Sequence, residues 1–335
     1  MSLLAGVAGF RGYSGAELIR ILSRHPCVSP VLLEHRSDSQ DRPQPRGHQG
    51  PPRLPCTAEA VRAQGVSVVF LATPSEVSME LAPAMLEAGA KVIDLSGAFR
   101  FPSRQQYEDW YQEQHTQEAL LAEAVYGLPE FYRDRIPSAR LVANPGCYPT
   151  AANLAVRPLV LSGLADLASG IVCDAKSGVS GAGRKASLKT SFCEVTENFS
   201  AYSLLDHRHV PEVLNHSRLD RSQFSFTAQL IPIHRGILET IHFRAAGPTT
   251  AEAIVDAYQQ RYAGEPFVRL YAPGQVPDVA AVAHTNFCDI GVKYDKASGR
   301  GVIVSVIDNL VKGAAGQAVQ NMNLLFGWNE TEGLL

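Results

Sequence analysis

With 335 residues, of which 45% are hydrophobic and 19% charged, the chain can bury a core in each of two domains of ordinary size. Its formal net charge of -3 is spread over interspersed acids and bases, which excludes a nucleic-acid surface and a polybasic membrane anchor. No apolar run approaches the roughly 20 residues of a membrane helix, and the glycine-rich start lacks a basic n-region with a cleavage site, so a cytoplasmic protein is expected. The six cysteines are scattered and include no CxxC, which argues against a disulfide framework and against a zinc site.

Leu3 to Ala8 reads as a strand. It is followed by a GxxGxxG turn, with Gly9, Gly12, Tyr13, Ser14 and Gly15, and by a helix from Ala16 to Arg24. Strand, glycine turn and helix form the dinucleotide-binding arrangement, in which backbone approaches a pyrophosphate resting on a helix N-terminus. Such turns also arise for packing alone. Val28 to Leu33 is the second strand, and its end carries Glu34, His35, Arg36 and Ser37. A carboxylate there holds a ribose 2′-hydroxyl and selects NAD, whereas an Arg beside a hydroxyl accepts the 2′-phosphate of NADP; both candidates are present.

Ser39 to Pro55 reads as an irregular surface loop. Val66 to Ala72 and Lys91 to Asp94 are strands separated by a helix from Glu76 to Ala88, which gives the repeated units of a parallel sheet. Ligands bind beyond the carboxyl ends of such strands, so Thr73 and Pro74 are expected at the nicotinamide end of a cofactor. Asp94 to Arg100 (DLSGAFR) follows the next strand, and Arg104 to Glu123 reads as a polar helical segment.

The stretch Leu141 to Pro158, LVANPGCYPTAANLAVRP, organises the rest. Leu141 to Ala143 ends a strand, Asn144-Pro145-Gly146 breaks it, and Thr150 opens a small-residue helix, so Cys147 lies between a strand end and a helix N-terminus. Unpaired amides and the helix dipole favour a thiolate there, the form that attacks carbonyl carbon. A lone Cys is more often a small buried hydrophobe. The stretch resembles, however, the active-site signature of N-acetyl-gamma-glutamyl-phosphate reductases: a small residue, Pro-Gly-Cys, an aromatic, Pro-Thr, then a small-residue helix ending in Pro. Ala143, Pro145, Gly146, Cys147, Tyr148, Pro149, Thr150, Ala151 and Pro158 carry it.

Beyond it, Ile171 to Lys176 is a strand, and Ser177 to Lys185 is a glycine-rich loop ending in Arg184 and Lys185 that does not match a P-loop. His207-Arg208-His209-Val210-Pro211-Glu212 has the His-x-His spacing of some metal sites but no further ligands nearby, so metal binding is the weaker reading. A histidine that protonates an oxyanion, oriented by a carboxylate, is the stronger one. Gln223 to Pro232 and Leu238 to Ala245 read as strands joined by a hairpin-like break at Ile233-His234-Arg235-Gly236. With strands at 287–292 and 301–306 and a helix from Ala251 to Tyr262, they form a mostly antiparallel second domain. Asp308 to Ala318 opens a long helix ending near Phe326.

The resemblance runs through nearly the whole chain, with a departure at Phe10 and Arg11, where the family usually has small residues. It implies NADP(H) as cofactor, with Arg36 and Ser37 at the 2′-phosphate. It also implies substrate contacts from Ser96 and Arg100, and from Arg184 (SGVSGAGR) and Arg235 (RGILET). The HRHxPE segment then supplies the catalytic histidine: His209 first and His207 second, with Glu212 as orienting partner of the ring. Asn309 and Gly313 are implied on the nicotinamide side. The implied architecture is α/β: a Rossmann-like NADP-binding domain, residues 1–146 and 309–335, plus an α+β catalytic and oligomerisation domain, residues 147–308. The latter resembles that of glyceraldehyde-3-phosphate and aspartate-semialdehyde dehydrogenases. The implied reaction is NADPH-dependent reduction of N-acetyl-L-glutamyl 5-phosphate in arginine synthesis through a Cys147 thioester, by a homo-oligomer, dimer or tetramer, without metal, nucleic acid or membrane. The alternatives are an aminoadipyl-phosphate reductase of lysine synthesis and a non-catalytic dinucleotide sensor.

Overall fold

A computed structural model describes residues 2–35 and 50–335. The chain divides into two compact units, residues 1–145 with 314–335, and residues 146–313. The second crossing between units therefore falls later than the expected boundary at 308/309.

In the first unit, β1 (Leu3–Ala8), β2 (Val28–Glu34), β3 (Arg53–Pro55), β4 (Val66–Leu71), β5 (Lys91–Asp94), β6 (Val125–Tyr126) and β7 (Leu141–Ala143) form one sheet in the order β3-β2-β1-β4-β5-β7-β6. All its pairings are parallel. Val7, Val68, Val69, Phe70, Leu71, Val92 and Ile93 are buried, as near-continuous apolar runs of a parallel sheet require. Strand order reverses on either side of β1, and the crevice at such a switch point is where α/β sheets bind ligands. The expected polar helix at 104–123 is two helices, Arg104–Tyr111 and Glu118–Glu123, because Gln112 takes a left-handed φ of 56° that ends the first. The C-terminal helix Gly316–Leu325 packs on the helix Tyr13–Leu22. Its Asn321 donates to Gly127 O and Asn144 Oδ1.

In the second unit, β8 (Ile171–Gly178), β9 (Ser200–Tyr202), β10 (Phe224–Ile231), β11 (Ile237–Arg244), β12 (Val268–Leu270), β13 (Cys288–Asp295) and β14 (Arg300–Ile307) form a mixed sheet, ordered β12-β13-β14-β11-β8-β10-β9. Here the hairpin expected between residues 223 and 245 is corrected. β10 and β11 do not pair with each other; β8 lies between them, parallel to β10 and antiparallel to β11. The reason lies in the connection, which wraps the end of β8 and accepts its backbone bonds: Gly178 N–H to Gly236 O, Val179 N–H to Ile233 O and Ser180 N–H to His234 O. Gly236 turns there with φ 112°, where a β-carbon would also strike Val279.

One face of this sheet carries the helix Cys147–Leu161, which also packs on the helices Val210–Ser217 and Ala251–Tyr262. Most of the Cys147 helix is buried, including Ala151, Ala152, Leu154, Ala155 and Val156, so small residues set its close approach to the sheet. Pro158 has no N–H to give to Leu154 O. The Tyr262 hydroxyl donates to that carbonyl instead, and Ser305 Oγ donates to Ala151 O.

Candidate active site

Cys147 is the first residue of its helix, with Gly146 as an extended N-cap that offers no side chain and with no acidic residue in the first turn. The first-turn amides, which have no acceptor within the helix, give the partly exposed thiol an electropositive setting. Two further elements hold this helix start. Glu212, fully buried in the helix Val210–Ser217, accepts a 3.0 Å hydrogen bond from Gly146 N–H. Gly313 lies directly against the cysteine, where a β-carbon would come within 2.8 Å of Cys147 Cβ.

A pocket of about 420 Å³ opens at Cys147 and is lined by Tyr148, Lys189, Tyr202, His207, Arg208 and His209, among others. The two histidines, which the sequence left unseparated, stand in different environments. His207 Nδ1 accepts from His209 N–H at 3.2 Å, and its ring meets Tyr148 and Phe226 edge-on or tilted with centroids 5.4 Å away. Burial, with Arg208 adding to it, pushes the His207 pKa down to about 4, so the ring is neutral at physiological pH. His209 caps the helix that carries Glu212 and presents its ring to the pocket beside Tyr148. Tyr148 Oη donates to Gln229 O and lies 3.1 Å from Tyr202 Oη. Burial raises both phenol pKa values, that of Tyr202 to about 12, so each stays a protonated hydroxyl.

Lys189 and Tyr202 were not singled out by sequence reasoning, and Arg208 was named in the histidine cluster without a role. Lys189 Nζ sits 4.7 Å from the centroid of the Tyr202 ring. No motif marks this contact, since Lys189 is in a short 3-10 turn and Tyr202 in a three-residue edge strand. Of the expected anion-binding arginines, Arg184 lies in the exposed part of the glycine loop. Arg235 Nη1 donates to the buried Asp308 carboxylate at 3.0 Å, which compensates its charge. Asn309, expected with Gly313 at the nicotinamide, lies in the same unit as Cys147. Its amide bridges Gly236 N–H at 2.7 Å and Ser180 Oγ at 3.0 Å.

The first unit presents a second set of groups. Gly9 has φ 76°, and a β-carbon on it would lie 2.2 Å from Ala72 O; one on Gly15 would lie 2.3 Å from Gly9 O. Both are therefore required by the turn itself. Gly12 is different: a β-carbon there meets only Gly9 O, at 3.3 Å. Gly12 is the N-cap of the helix Tyr13–Leu22, which has neither a capping side chain nor an acid in its first turn, leaving the Tyr13 and Ser14 end of that helix fit for a pyrophosphate. Thr73 Oγ1 lies 2.8 Å from Ser78 Oγ, and Pro74 is the N-cap of the helix Ser75–Glu87 at the end of β4. Ser96 Oγ donates to Asp94 and accepts from Ala98 N–H, while the buried Arg100 donates to Asn144 O and Leu95 O; both shape the loop after β5.

Arg36 and Ser37 lie outside the described residues. At the end of β2, Glu34 receives Arg53 at 2.9 Å and Arg11 at 3.2 Å, so the carboxylate that was one of the two candidates for reading the ribose is neutralised by two guanidinium groups. Among the described residues, no group of three or more His, Cys, Asp and Glu side chains is arranged to hold a metal ion, and no helix is long and apolar enough to cross a membrane.

Residues 5–139 match the semialdehyde dehydrogenase NAD-binding domain family, and residues 147–309 match the semialdehyde dehydrogenase dimerisation domain family. The chain is 46% identical over 342 residues to an N-acetyl-gamma-glutamyl-phosphate reductase of Symbiobacterium thermophilum, spanning 100% of this chain and 98% of that protein. It is 46% identical over 337 residues to a reductase of the same name from a Geobacillus species, spanning 98% and 97%. Among solved structures, aspartate semialdehyde dehydrogenase II of Vibrio cholerae shares the fold, with a TM-score of 0.73 at 19% identity over 98% of this chain and 99% of that one.

Proposed function

We propose, because the chain belongs to the N-acetyl-gamma-glutamyl-phosphate reductase family, that it reduces N-acetyl-L-glutamyl 5-phosphate to the 5-semialdehyde with NADPH, releasing phosphate, as a step of arginine synthesis. The observation that carries this reading is one pocket holding Cys147 at the start of a buried helix, with His209, Lys189 and Arg208 around it.

An acyl phosphate has a good leaving group, and a covalent thioester makes its reduction controllable. The Cys147 thiolate attacks the carbonyl carbon; the C–S bond forms as the C–O bond to phosphate breaks, and phosphate leaves toward Lys189 and Arg208. Amides of the first turn after Cys147 stabilise the oxyanion. NADPH, when bound, supplies the hydride for the thioester carbon. His209 then gives its proton to the hemithioacetal oxygen and takes it back as the C–S bond breaks, freeing the aldehyde and restoring the thiolate. His207, neutral and with Nδ1 engaged by backbone, serves to set the backbone of His209.

Gly12, Tyr13 and Ser14 would hold the cofactor's pyrophosphate, and the Arg11 and Arg53 pair supports NADP over NAD by offering cations to a 2′-phosphate. The reading includes a cytoplasmic homo-oligomer, assembly being supported by the dimerisation-domain match over residues 147–309. The test is phosphate-dependent reduction of NADP by N-acetyl-glutamate semialdehyde, run beside the aminoadipate homologue and beside NAD. Preference for the glutamate compound with NADP is expected. Equal or greater use of the homologue would overturn the substrate assignment, and absence of turnover with NADP bound would favour a dinucleotide sensor.

A further inference from the structure

The carboxyl ends of β4 and β5 carry a chain of hydrogen bonds that the thioester chemistry does not use. Asp94, at the end of β5, has no exposed surface, and Ser96 gives it two donors: N–H to Oδ1 at 3.1 Å and the hydroxyl to Oδ2 at 2.7 Å. Ser96 Oγ itself accepts from Ala98 N–H. A third donor reaches Asp94 from the helix Ser75–Glu87, the hydroxyl of the equally buried Ser78. Ser78 Oγ in turn lies 2.8 Å from Thr73 Oγ1. Thr73 is only partly buried, and among the described residues its hydroxyl meets no other side chain. A β-carbon on Gly9 would lie 3.3 Å from Thr73 Cγ2, so Thr73 stands beside the glycine turn, at the switch point of the sheet.

The direction of these bonds is set from the buried end. A carboxylate only accepts, and a hydroxyl has one proton to give. Burial pushes the Asp94 pKa up, while the donors from Ser96 and Ser78 and the nearby Arg100 charge pull it down. As a carboxylate, Asp94 accepts from all of them. Ser78 therefore gives its proton to Asp94 and accepts from Thr73, and Thr73 gives its own proton inward. What Thr73 presents outward is a lone pair, an acceptor of fixed polarity. Such a group rejects pyrophosphate oxygens, which have no proton to give, and takes an N–H or O–H donor.

We propose that Thr73, held by the chain through Ser78 to Asp94, accepts from the amide N–H of the cofactor's nicotinamide carboxamide and so fixes which way round that amide lies. Two donors of the cofactor suit the acceptor, a ribose hydroxyl and the carboxamide NH2. A ribose hydroxyl donates or accepts by rotating about one bond and gains nothing from an acceptor of fixed polarity. A carboxamide has its donor on one side and its acceptor on the other, so a fixed acceptor sets its orientation. Thr73 is then the residue that reads the cofactor, and Ser78 and Asp94 are positioning residues behind it. This inference rests on reading the first unit as the NADP site.

The test is equilibrium binding to the full chain, by calorimetry, of three ligands. They are NADP, its thionicotinamide analogue, which keeps the NH2 group, and its 3-acetylpyridine analogue, in which a methyl ketone replaces the carboxamide. Wild type should bind the first two alike and the ketone about tenfold more weakly, the effect of leaving one acceptor unpaired. Thr73→Val should bind all three alike, at the wild-type level for the ketone, and Thr73→Ser, which keeps the hydroxyl, should discriminate as wild type does. Ser78→Ala lets the Thr73 proton point either way and should lose most of the discrimination. Equal binding of NADP and the ketone by wild type overturns the proposal, as does preference for the ketone, which a chain reversed by a protonated Asp94 would give. Equal weakening of all three ligands in Thr73→Val would place the contact on the ribose and overturn the carboxamide assignment. Undiminished discrimination in Ser78→Ala would overturn the role of the buried chain. The wild-type comparison needs no variant, so it decides even where a substitution prevents folding. Binding is read without turnover: discrimination by a protein that reduces no acyl phosphate would count against the reductase reading alone, whereas absence of NADP binding would overturn this inference and the cofactor reading together.

Discussion

Gly313 packs against Cys147 so closely that a β-carbon on it would lie 2.8 Å from the Cys147 β-carbon and 3.2 Å from its α-carbon. The Cys147 side is backed by the buried sheet and the Gly313 side by a turn anchored on Asp308, whose carboxylate accepts from Leu310 N–H and whose carbonyl accepts from Gly313 N–H. Neither can retreat without cost. Gly313→Ala should shift the thiol by a fraction of an ångström to an ångström and lower kcat about 100-fold, with KM for NADPH unchanged. Steady-state kinetics and cofactor titration check both halves of this expectation.

The two histidines separate by pH as well as by rate. The folded pKa of His207, about 4, is below the unfolded value of 6.5, so the unfolded state binds more protons between those values. Its contribution is fully present above 6.5 and is lost as pH falls toward 4, on the order of 3 kcal/mol. His207→Gln should flatten the fall in thermal stability between pH 6.5 and 4 while retaining most of the activity. His209→Asn should lower kcat by about 10² to 10⁴, the usual weight of a general acid–base, and leave that stability profile unchanged. Matched melting and rate profiles across this range decide the assignment.

Glu239 stands in β11 between Ala175 and Ser305 with no exposed surface. Burial pushes its carboxyl pKa well above the ordinary 4.5, and the Cys173 thiol and Lys176 offset this only in part. Here the folded state holds the proton more tightly. The associated stability is full below 4.5 and declines as pH rises from there toward the raised value. Glu239→Gln keeps the shape without the charge, so it should remove this slope and raise Tm at pH 8 by roughly 4 °C or more. Melting curves from pH 4.5 to 9 measure it.

Arg11 and Arg53 hold Glu34 at the end of β2. Replacing both by Ala should weaken NADPH about tenfold, the equivalent of roughly 1.4 kcal/mol, and leave NADH nearly unaffected, because only NADPH carries the 2′-phosphate. Binding of the two reduced cofactors, followed by nicotinamide fluorescence, tests the selectivity directly.

What local sequence could and could not disclose follows the range of the interactions involved. β1, its glycine turn, β5, and the placing of Cys147 at a helix start depend on residues within a turn or two of one another, and they were legible. The insertion of β8 between β10 and β11 was not, because the connection at Ile233 to Gly236 looks like a hairpin until the end of β8 claims its carbonyls. The pairing of Arg235 with Asp308 and the bridging of Gly236 and Ser180 by Asn309 join positions far apart in the chain, and neither residue type announces its partner. Lys189 and Tyr202 escaped notice for the same reason. They belong to a segment with no periodic pattern, and only the folded chain brings them to the cysteine. The Glu212 carboxylate also accepts from Gly146 N–H, a long-range contact that ties the histidine-bearing helix to the start of the nucleophile helix and that the local sequence does not announce.

The covalent role of Cys147 is the centre of the account, and intact-protein mass spectrometry tests it most directly. Mixed with N-acetyl-glutamyl phosphate in the absence of NADPH, the wild-type chain should gain the mass of one N-acetyl-glutamyl group, removable by hydroxylamine and mapped to Cys147. Cys147→Ser should bind NADPH and gain none. An adduct on another residue, or substantial turnover by the serine variant, would contradict the thioester mechanism.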